Sequence, residues 1–202
     1  MDQRQLRSAG ALYPYSHPQG LYGIPFGMAL ALVGLSNLHR PPAGTWLVIA
    51  GVVSTLAALA GVTRYYRVNF GRVTPMRSRQ TRCLVAAVTG FAVYIGLDQL
   101  GRALLGRPPE EPVSTTAAAW AVGMLVFYAI AAGLRVHHVA VWAVVFVAGV
   151  LPIWGTGVDR EAVAYFPIAA ATMVAGLFDH RSLVLTFRSY RDLDLRDGHD
   201  GA

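Results

Sequence analysis

The chain has 202 residues, of which 54% are hydrophobic and 14% are charged, and its mean hydropathy is +0.44. Soluble domains carry about a quarter charged residues, so this composition excludes a soluble enzyme, a disulfide-built scaffold and a disordered chain, and it indicates a membrane protein. The net charge is +6, and the single cysteine, Cys83, cannot close an intrachain disulfide.

Every basic side chain among the 17 is arginine, and the arginines fall almost entirely between apolar stretches. That distribution is typical of a topology signal in a membrane protein. A nucleic-acid-binding surface would instead gather the basic residues in one patch or along one helix. We therefore expect no nucleic-acid partner.

The first segment, residues 1–20, lacks the apolar core of a cleavable signal peptide and contains Pro14 and Pro18. We expect it to form an irregular cytoplasmic or interfacial lead-in. The first apolar stretch would then act as the insertion signal.

Six apolar stretches follow, each bounded by polar or turn residues, and together they define a transmembrane domain over residues 21–178. They lie at about 21–38, 44–63, 83–105, 113–134, 139–154 and 161–178. Crossing the hydrocarbon core takes about 20 helical residues, so the fifth stretch is short. Backbone groups in lipid must be hydrogen-bonded internally, and the stretches do not alternate as barrel strands do. The sequence predicts an all-α integral membrane protein, a bundle of six transmembrane helices.

The arginine content of alternate connections predicts the orientation of this bundle. Of the 17 arginines, 13 lie in the N-terminal segment, the second and fourth loops and the C-terminal tail. Positive charge marks the cytoplasmic side. We therefore expect a multi-pass protein of the plasma membrane with both termini in the cytoplasm. Within its tail, residues 179–202, Leu183, Phe187 and Tyr190 roughly follow a helical stripe, which predicts an amphipathic helix on the inner leaflet.

Small residues at helical spacing predict close helix contacts, within one chain or across a homodimer. The pairs are Gly23 with Gly27, Ala86 with Gly90, Ala171 with Ala175 and Thr172 with Gly176. An Ala-Gly-aliphatic pattern also recurs at the cytoplasmic ends of the even-numbered spans, at residues 60–62, 132–134 and 175–177. It suits three helical hairpins in parallel pseudo-repeat, with chance recurrence as the alternative.

Asp98 is the strongest ionisable candidate within the predicted spans, next to Gln99 and four residues before Arg102. An acid within a span is a functional candidate by default. An acid followed by a base at this spacing also forms a same-helix ion pair. The sequence favours an ion pair near the outer interface over a proton or cation relay.

Aromatic rings, imidazoles and one acid follow the ends of the even-numbered spans and are expected to converge near the inner leaflet. They are Tyr65, Tyr66, His137, His138, Asp179 and His180. Imidazole and carboxylate suit a transition metal, and histidine protonation suits a pH switch. Neither HExxH nor HxxxH spacing occurs, so interfacial anchoring is favoured, no metal site is predicted, and the cofactor is left undetermined.

Six arginines are concentrated in the second loop, over residues 64–82. They are Arg64, Arg67, Arg72, Arg77, Arg79 and Arg82. Each arginine beside the inner leaflet attracts anionic lipid by about 1 kcal/mol. That attraction is sufficient to explain the loop. The alternative is docking of a cytoplasmic protein partner, for which Phe70, Val73 and Met76 add apolar anchors.

No nucleophile elbow, zinc-protease pair, aspartate-rich metal motif or phosphate loop occurs, so we expect no enzymatic activity. The leading hypothesis is a transporter, or the membrane-spanning component of a transport system that docks a cytoplasmic subunit through the arginine-rich loop. The alternative is a membrane sensor, regulator or immunity protein that does not transport and that binds a lipid or hydrophobic ligand between its helices.

Overall fold

The computed structural model describes residues 20–38, 44–70, 77–105, 113–154 and 159–197. These residues form six α-helices and no strand, with one 3-10 turn, Gly20–Tyr22, before the first helix. The helices are α1 (Gly23–Asn37), α2 (Gly44–Phe70), α3 (Arg77–Leu105), α4 (Thr115–Ala131), α5 (Val136–Val150) and α6 (Arg160–Asp197). The predicted all-α class is confirmed.

Among the described helices, four are long and apolar enough to cross a membrane. Their candidate spans are Gly20–Asn37, Trp46–Asn69, Gln80–Leu104 and Arg160–Thr186. Helices α4 and α5 are equally apolar but have 17 and 15 residues, or about 25 and 22 Å at 1.5 Å per residue. The hydrocarbon core is about 30 Å thick. Six spans and cytoplasmic termini therefore stay predictions.

The surface of the bundle is apolar along much of its length. Val53 and Leu56 on α2 are each 60% exposed, and Val144 on α5 is 70% exposed. A soluble monomer rarely exposes apolar side chains over so large a contiguous area. This surface is compatible with contact to lipid, in agreement with the four candidate spans.

Three helices are longer than the sequence suggested. Helix α2 continues to Phe70 and α3 begins at Arg77, so most of the predicted second loop is helical. Helix α6 runs without interruption through Asp197. The sixth predicted span and most of the predicted tail thus form one helix, and no break separates them at residue 179.

The helices pack as two groups of three: α1 contacts both α2 and α6, and α4 contacts both α3 and α5. Within the first group, a Cβ at Gly23 or Gly27 would lie 2.8 or 2.7 Å from a backbone oxygen of α6. Within the second, Gly90 of α3 meets Gly123 of α4 at the same close range. The predicted contacts through small residues are confirmed at these positions. The fully buried Trp142 and Ile168 join the groups in a shared core.

The three Ala-Gly segments have three different environments. Gly61 lies inside α2, and a Cβ added there would have nothing within 4 Å. Gly133 follows α4 with a φ of 80°, and Gly176 packs against Gly20. Equivalent units of a repeat would place the glycine in equivalent surroundings. These environments give the proposed repeat of three hairpins no support.

Candidate ligand-binding site

A cleft of about 630 Å³ separates the two helix groups. Helices α1, α3, α4 and α6 line it, and its walls are almost entirely apolar and aromatic. Among the lining residues are Phe26, Phe91, Trp120, Met124 and Phe127. Pockets for small molecules occupy about 300 to 1,000 Å³ and have mainly apolar walls with few polar groups. The cleft has the size and the lining of such a pocket.

Asp179 is the one charged residue in the described lining of this cleft. It lies on α6, and it is 1% exposed. A carboxylate removed from water needs charged or hydrogen-bonding partners. The first turn of α5 and the residue before it supply those partners.

Three side chains converge on a single oxygen of Asp179. Nε2 of His137 and Nε2 of His138 each lie 3.0 Å from Oδ1, and His138 Nε2 is also 3.1 Å from Oδ2. The guanidinium of Arg135 lies 3.5 Å from Oδ1. We call Arg135, His137, His138 and Asp179 the Asp179 cluster. Its two formal charges, on Arg135 and Asp179, balance when both imidazoles are neutral.

A local break in the chain positions this cluster. Gly133 has a φ of 80°, a conformation that glycine adopts without a steric penalty, and it follows the end of α4. Arg135 is then extended and becomes the N-cap of α5. His137 and His138 consequently fall in the first turn of α5, where both rings can face α6.

Stacked rings hold His138 in place. The Tyr128 ring lies 3.8 Å from the His138 ring, centroid to centroid, with 20° between the planes. His138 is fully buried, and its Nδ1 has no hydrogen-bond partner among the described residues. Tyr128 also lines the cleft. Tyr128 and Asp179 thus both line the cleft and contact the buried His138 behind it.

The other predicted rings form a neighbouring group around His180. Tyr65 Oη lies 3.3 Å from Nε2 of His180, and Tyr66 Oη lies 3.3 Å from Nδ1. Tyr66 stacks on Tyr22 and accepts a hydrogen bond from the Leu21 amide at 3.1 Å. The six predicted ring and acid residues therefore divide into two adjacent groups, one around Asp179 and one around His180.

The predicted ion pair of Asp98 and Arg102 is present, with Arg102 Nε 2.9 Å from Oδ2 of Asp98. The other carboxylate oxygen accepts hydrogen bonds from Thr115 at 3.1 Å and Thr116 at 3.2 Å. Gln99, the next residue on the same helix, is exposed. Both oxygens of the buried acid are satisfied, so this site is built as a helix-joining contact.

The arginine-rich segment is described only in part. Arg64, Arg67 and Arg82 are exposed on the helices that flank it. Arg72 lies outside the described residues, as do the side chains of Phe70, Arg77 and Arg79. The predicted lipid or partner contacts of this segment therefore stay predictions.

Sequence reasoning missed Arg135, Tyr128 and the cleft itself. Arg135 enters the sequence argument only as a topology charge, although an arginine two residues before a pair of histidines is a visible signal of a polar cluster. Tyr128 gave no such signal, because its stacking on His138 depends on the turn at Gly133.

Comparison of the chain with protein-family models, with curated proteins and with solved structures finds no match. The chemistry of the site follows from its own geometry. The walls of the cleft are mainly apolar, and the polar groups of Tyr128 and Asp179 belong to its lining.

Proposed function

We propose that this protein is a membrane sensor or regulator that binds a lipid or lipid-like molecule between its helices. The observation that carries the proposal is the half-enclosed apolar cleft of about 630 Å³ whose lining includes the buried Asp179. The ligand's chain would lie against Phe91, Trp120 and Phe127. Its head group would reach Asp179.

The position of the cleft between the two helix groups supports a regulatory role. Helices α1 and α3 make no direct contact across it among the described residues, so a ligand there would bridge elements that otherwise meet only through α6 and its neighbours. A ligand that binds one arrangement of two packed groups better than another shifts the population toward that arrangement. Occupancy of the cleft would thereby set the spacing of the two groups.

The leading hypothesis from the sequence is a transporter, or a transport component that docks a cytoplasmic partner. Asp98 is the acid that a proton-coupled transporter would use, but its charge is matched by Arg102 and its second oxygen accepts hydrogen bonds from two threonines. A relay needs a group that can gain and lose a proton or cation during turnover. The arrangement around Asp98 favours the binding role over coupled transport.

A quenching titration tests the proposal with dibrominated stearate as the probe. Bromine quenches tryptophan at contact distance, and Trp120 lines the cleft while Trp46, 79% exposed, does not. We expect saturable quenching of the detergent-solubilised protein. The difference between wild type and Trp120→Phe should account for most of the saturable part.

Two phenylalanine substitutions on α3 provide the matched comparison. Ala87 lines the cleft, whereas Val85 on the same helix is 49% exposed and lies outside the lining. Ala87→Phe should weaken the saturable binding on the order of tenfold, which corresponds to about 1.4 kcal/mol. Val85→Phe should leave it unchanged. Equal affinity in both variants, or quenching that rises without saturation, would rule out the cleft as a specific site.

A further inference from the structure

Asp179, His137 and His138 place three potential metal ligands around one point. Their ligand atoms, two imidazole Nε2 atoms and a carboxylate oxygen, all lie within 4.8 Å of one another. Each nitrogen lies 3.0 Å from the same carboxylate oxygen. The residues come from two helices, α5 and α6, so the constellation is created by packing and is not visible as a sequence motif.

The spacing is close to what a tetrahedral metal site requires. Zinc binds histidine nitrogen at about 2.0–2.1 Å and carboxylate oxygen at about 2.0–2.2 Å. Two ligand atoms at such distances with a tetrahedral angle are separated by about 3.3 Å. The observed distances from the imidazole Nε2 atoms to the Asp179 carboxylate oxygens are 3.0 and 3.1 Å, so these nitrogen–oxygen pairs need to open by only a few tenths of an ångström.

Hydrogen bonding alone accommodates the cluster poorly. A carboxylate oxygen has two lone pairs, and Oδ1 of Asp179 is approached by Arg135, His137 and His138 together. A divalent cation would take the lone pairs of both Nε2 atoms and of Asp179 at once.

We propose that His137, His138 and Asp179 bind a divalent transition metal ion, with Zn²⁺ as the best-matched ion. Two neutral imidazoles and one carboxylate form a ligand set typical of Zn²⁺. Asp179 also lines the cleft, so a fourth coordination position is accessible from it. Arg135, 3.5 Å from Oδ1, is the neighbouring cation and pairs with the carboxylate from outside the ligand set. The metal site does not depend on which molecule occupies the cleft.

The test is metal titration of the full chain, purified in mild detergent without a histidine tag and stripped with a chelator. Zn²⁺ affinity is measured by competition with a chromophoric chelator, and Co²⁺ is added separately to record its visible absorption. We expect one Zn²⁺ per chain. We also expect a Co²⁺ spectrum of a site with four or five ligands, distinct from that of hydrated Co²⁺.

The variants compare the three proposed ligands with His180, a histidine that follows Asp179 in sequence but is not a proposed ligand. His137→Asn, His138→Asn and Asp179→Asn should each weaken Zn²⁺ binding by at least about tenfold, the lower range for disturbing even an outer partner of a metal site. His180→Asn is the matched control, because the His180 ring contacts Tyr65 and Tyr66. It should bind Zn²⁺ as the wild type does.

Two measurements keep the result interpretable. His137→Asn is the variant least disruptive to packing, since the His137 side chain is 21% exposed. Size-exclusion chromatography and thermal unfolding establish that each variant is folded. Zn²⁺ affinity that is equal in wild type and in folded His137→Asn, or an absence of binding in the wild type, would overturn the proposal. Either result would identify the cluster as an ion-pair network only.

Discussion

The crossing of α3 and α4 at Gly90 and Gly123 yields a prediction whose size follows from the structure. A Cβ added at Gly90 would lie 2.7 Å from the carbonyl oxygen of Gly123 and 3.2 Å from Cβ of Phe127. Ordinary van der Waals contact begins near 3.4 Å, so the first distance is short by about 0.7 Å. The obstructing atom is a backbone oxygen, which no change of rotamer can move. Gly90→Ala therefore forces the two helices apart.

The expected cost comes from overpacking. Inserting a methyl group where the backbone must shift costs about 1–3 kcal/mol. Gly96→Ala on the same helix is the matched control, since nothing lies within 4 Å of a Cβ there. In a helix interior alanine is more favourable than glycine by about 0.8–1.0 kcal/mol. Gly90→Ala should thus be less stable than wild type, and Gly96→Ala equally or more stable.

The assay is the free energy of unfolding in lipid bicelles, measured by steric trapping, with helix content followed by circular dichroism. The two alanine variants have identical composition, so their difference isolates the crossing point. We expect a gap of about 1–3 kcal/mol between them, which is the overpacking cost, because the helix-propensity gain is common to both variants. If Gly90→Ala is as stable as Gly96→Ala, the helices do not approach each other at Gly90 as described, and the reasoning fails.

Two further predictions concern polar and backbone features. Asp98→Asn removes the charge paired with Arg102 and should lower the free energy of unfolding by about 1–3 kcal/mol; a double-mutant cycle with Arg102→Gln that shows no coupling would contradict this. Gly133 has a φ of 80°, so Gly133→Ala should cost about 1–2 kcal/mol, whereas Gly133→Asn should cost less because asparagine tolerates this conformation. The same unfolding measurement distinguishes the two, and equal stability of both variants would count against a left-handed residue at this turn.

Interactions between residues close in sequence could be predicted, because helical periodicity alone places their side chains together. The Asp98–Arg102 pair is four residues apart on one helix, and the structure shows it at 2.9 Å. The small residues at Gly23, Gly27 and Gly90 likewise marked helix contacts before any fold was known. Apolar runs located all six helices, although the ends of α2 and α6 were placed too early. Charged and polar residues such as Arg64 continue a helix as readily as apolar ones, so hydropathy does not mark its end.

The cleft could not be predicted in this way, because it depends on how distant segments pack. Its walls come from α1 and α6 on one side and α3 and α4 on the other. His138 and Asp179 are 41 residues apart, and the sequence suggested only that rings near the inner leaflet converge. Which of those rings touch depends on the left-handed turn at Gly133 and on the rotation of α6. Neither is encoded in hydrophobic periodicity.

Asp98 and Asp179, the two buried acids among the described residues, each contact the first turn of a short neighbouring helix. Asp98 accepts hydrogen bonds from Thr115 and Thr116 in the first turn of α4, and Asp179 meets His138 in the first turn of α5. The N-terminus of a helix carries free N–H groups and a partial positive charge. A carboxylate at such a terminus is favoured electrostatically, and in both cases a longer helix, α3 or α6, supplies it.

The two acids nevertheless differ in what surrounds them, and this difference separates structure from function. Asp98 is held by one arginine and two hydroxyl groups, whose hydrogen bonds satisfy both of its oxygens. Asp179 faces two imidazoles, each able to donate a proton or to offer a lone pair, and it borders the cleft. A stabilising contact needs only the first arrangement. The second is suited to binding a metal ion or a head group, and for that reason the candidate site is assigned to Asp179.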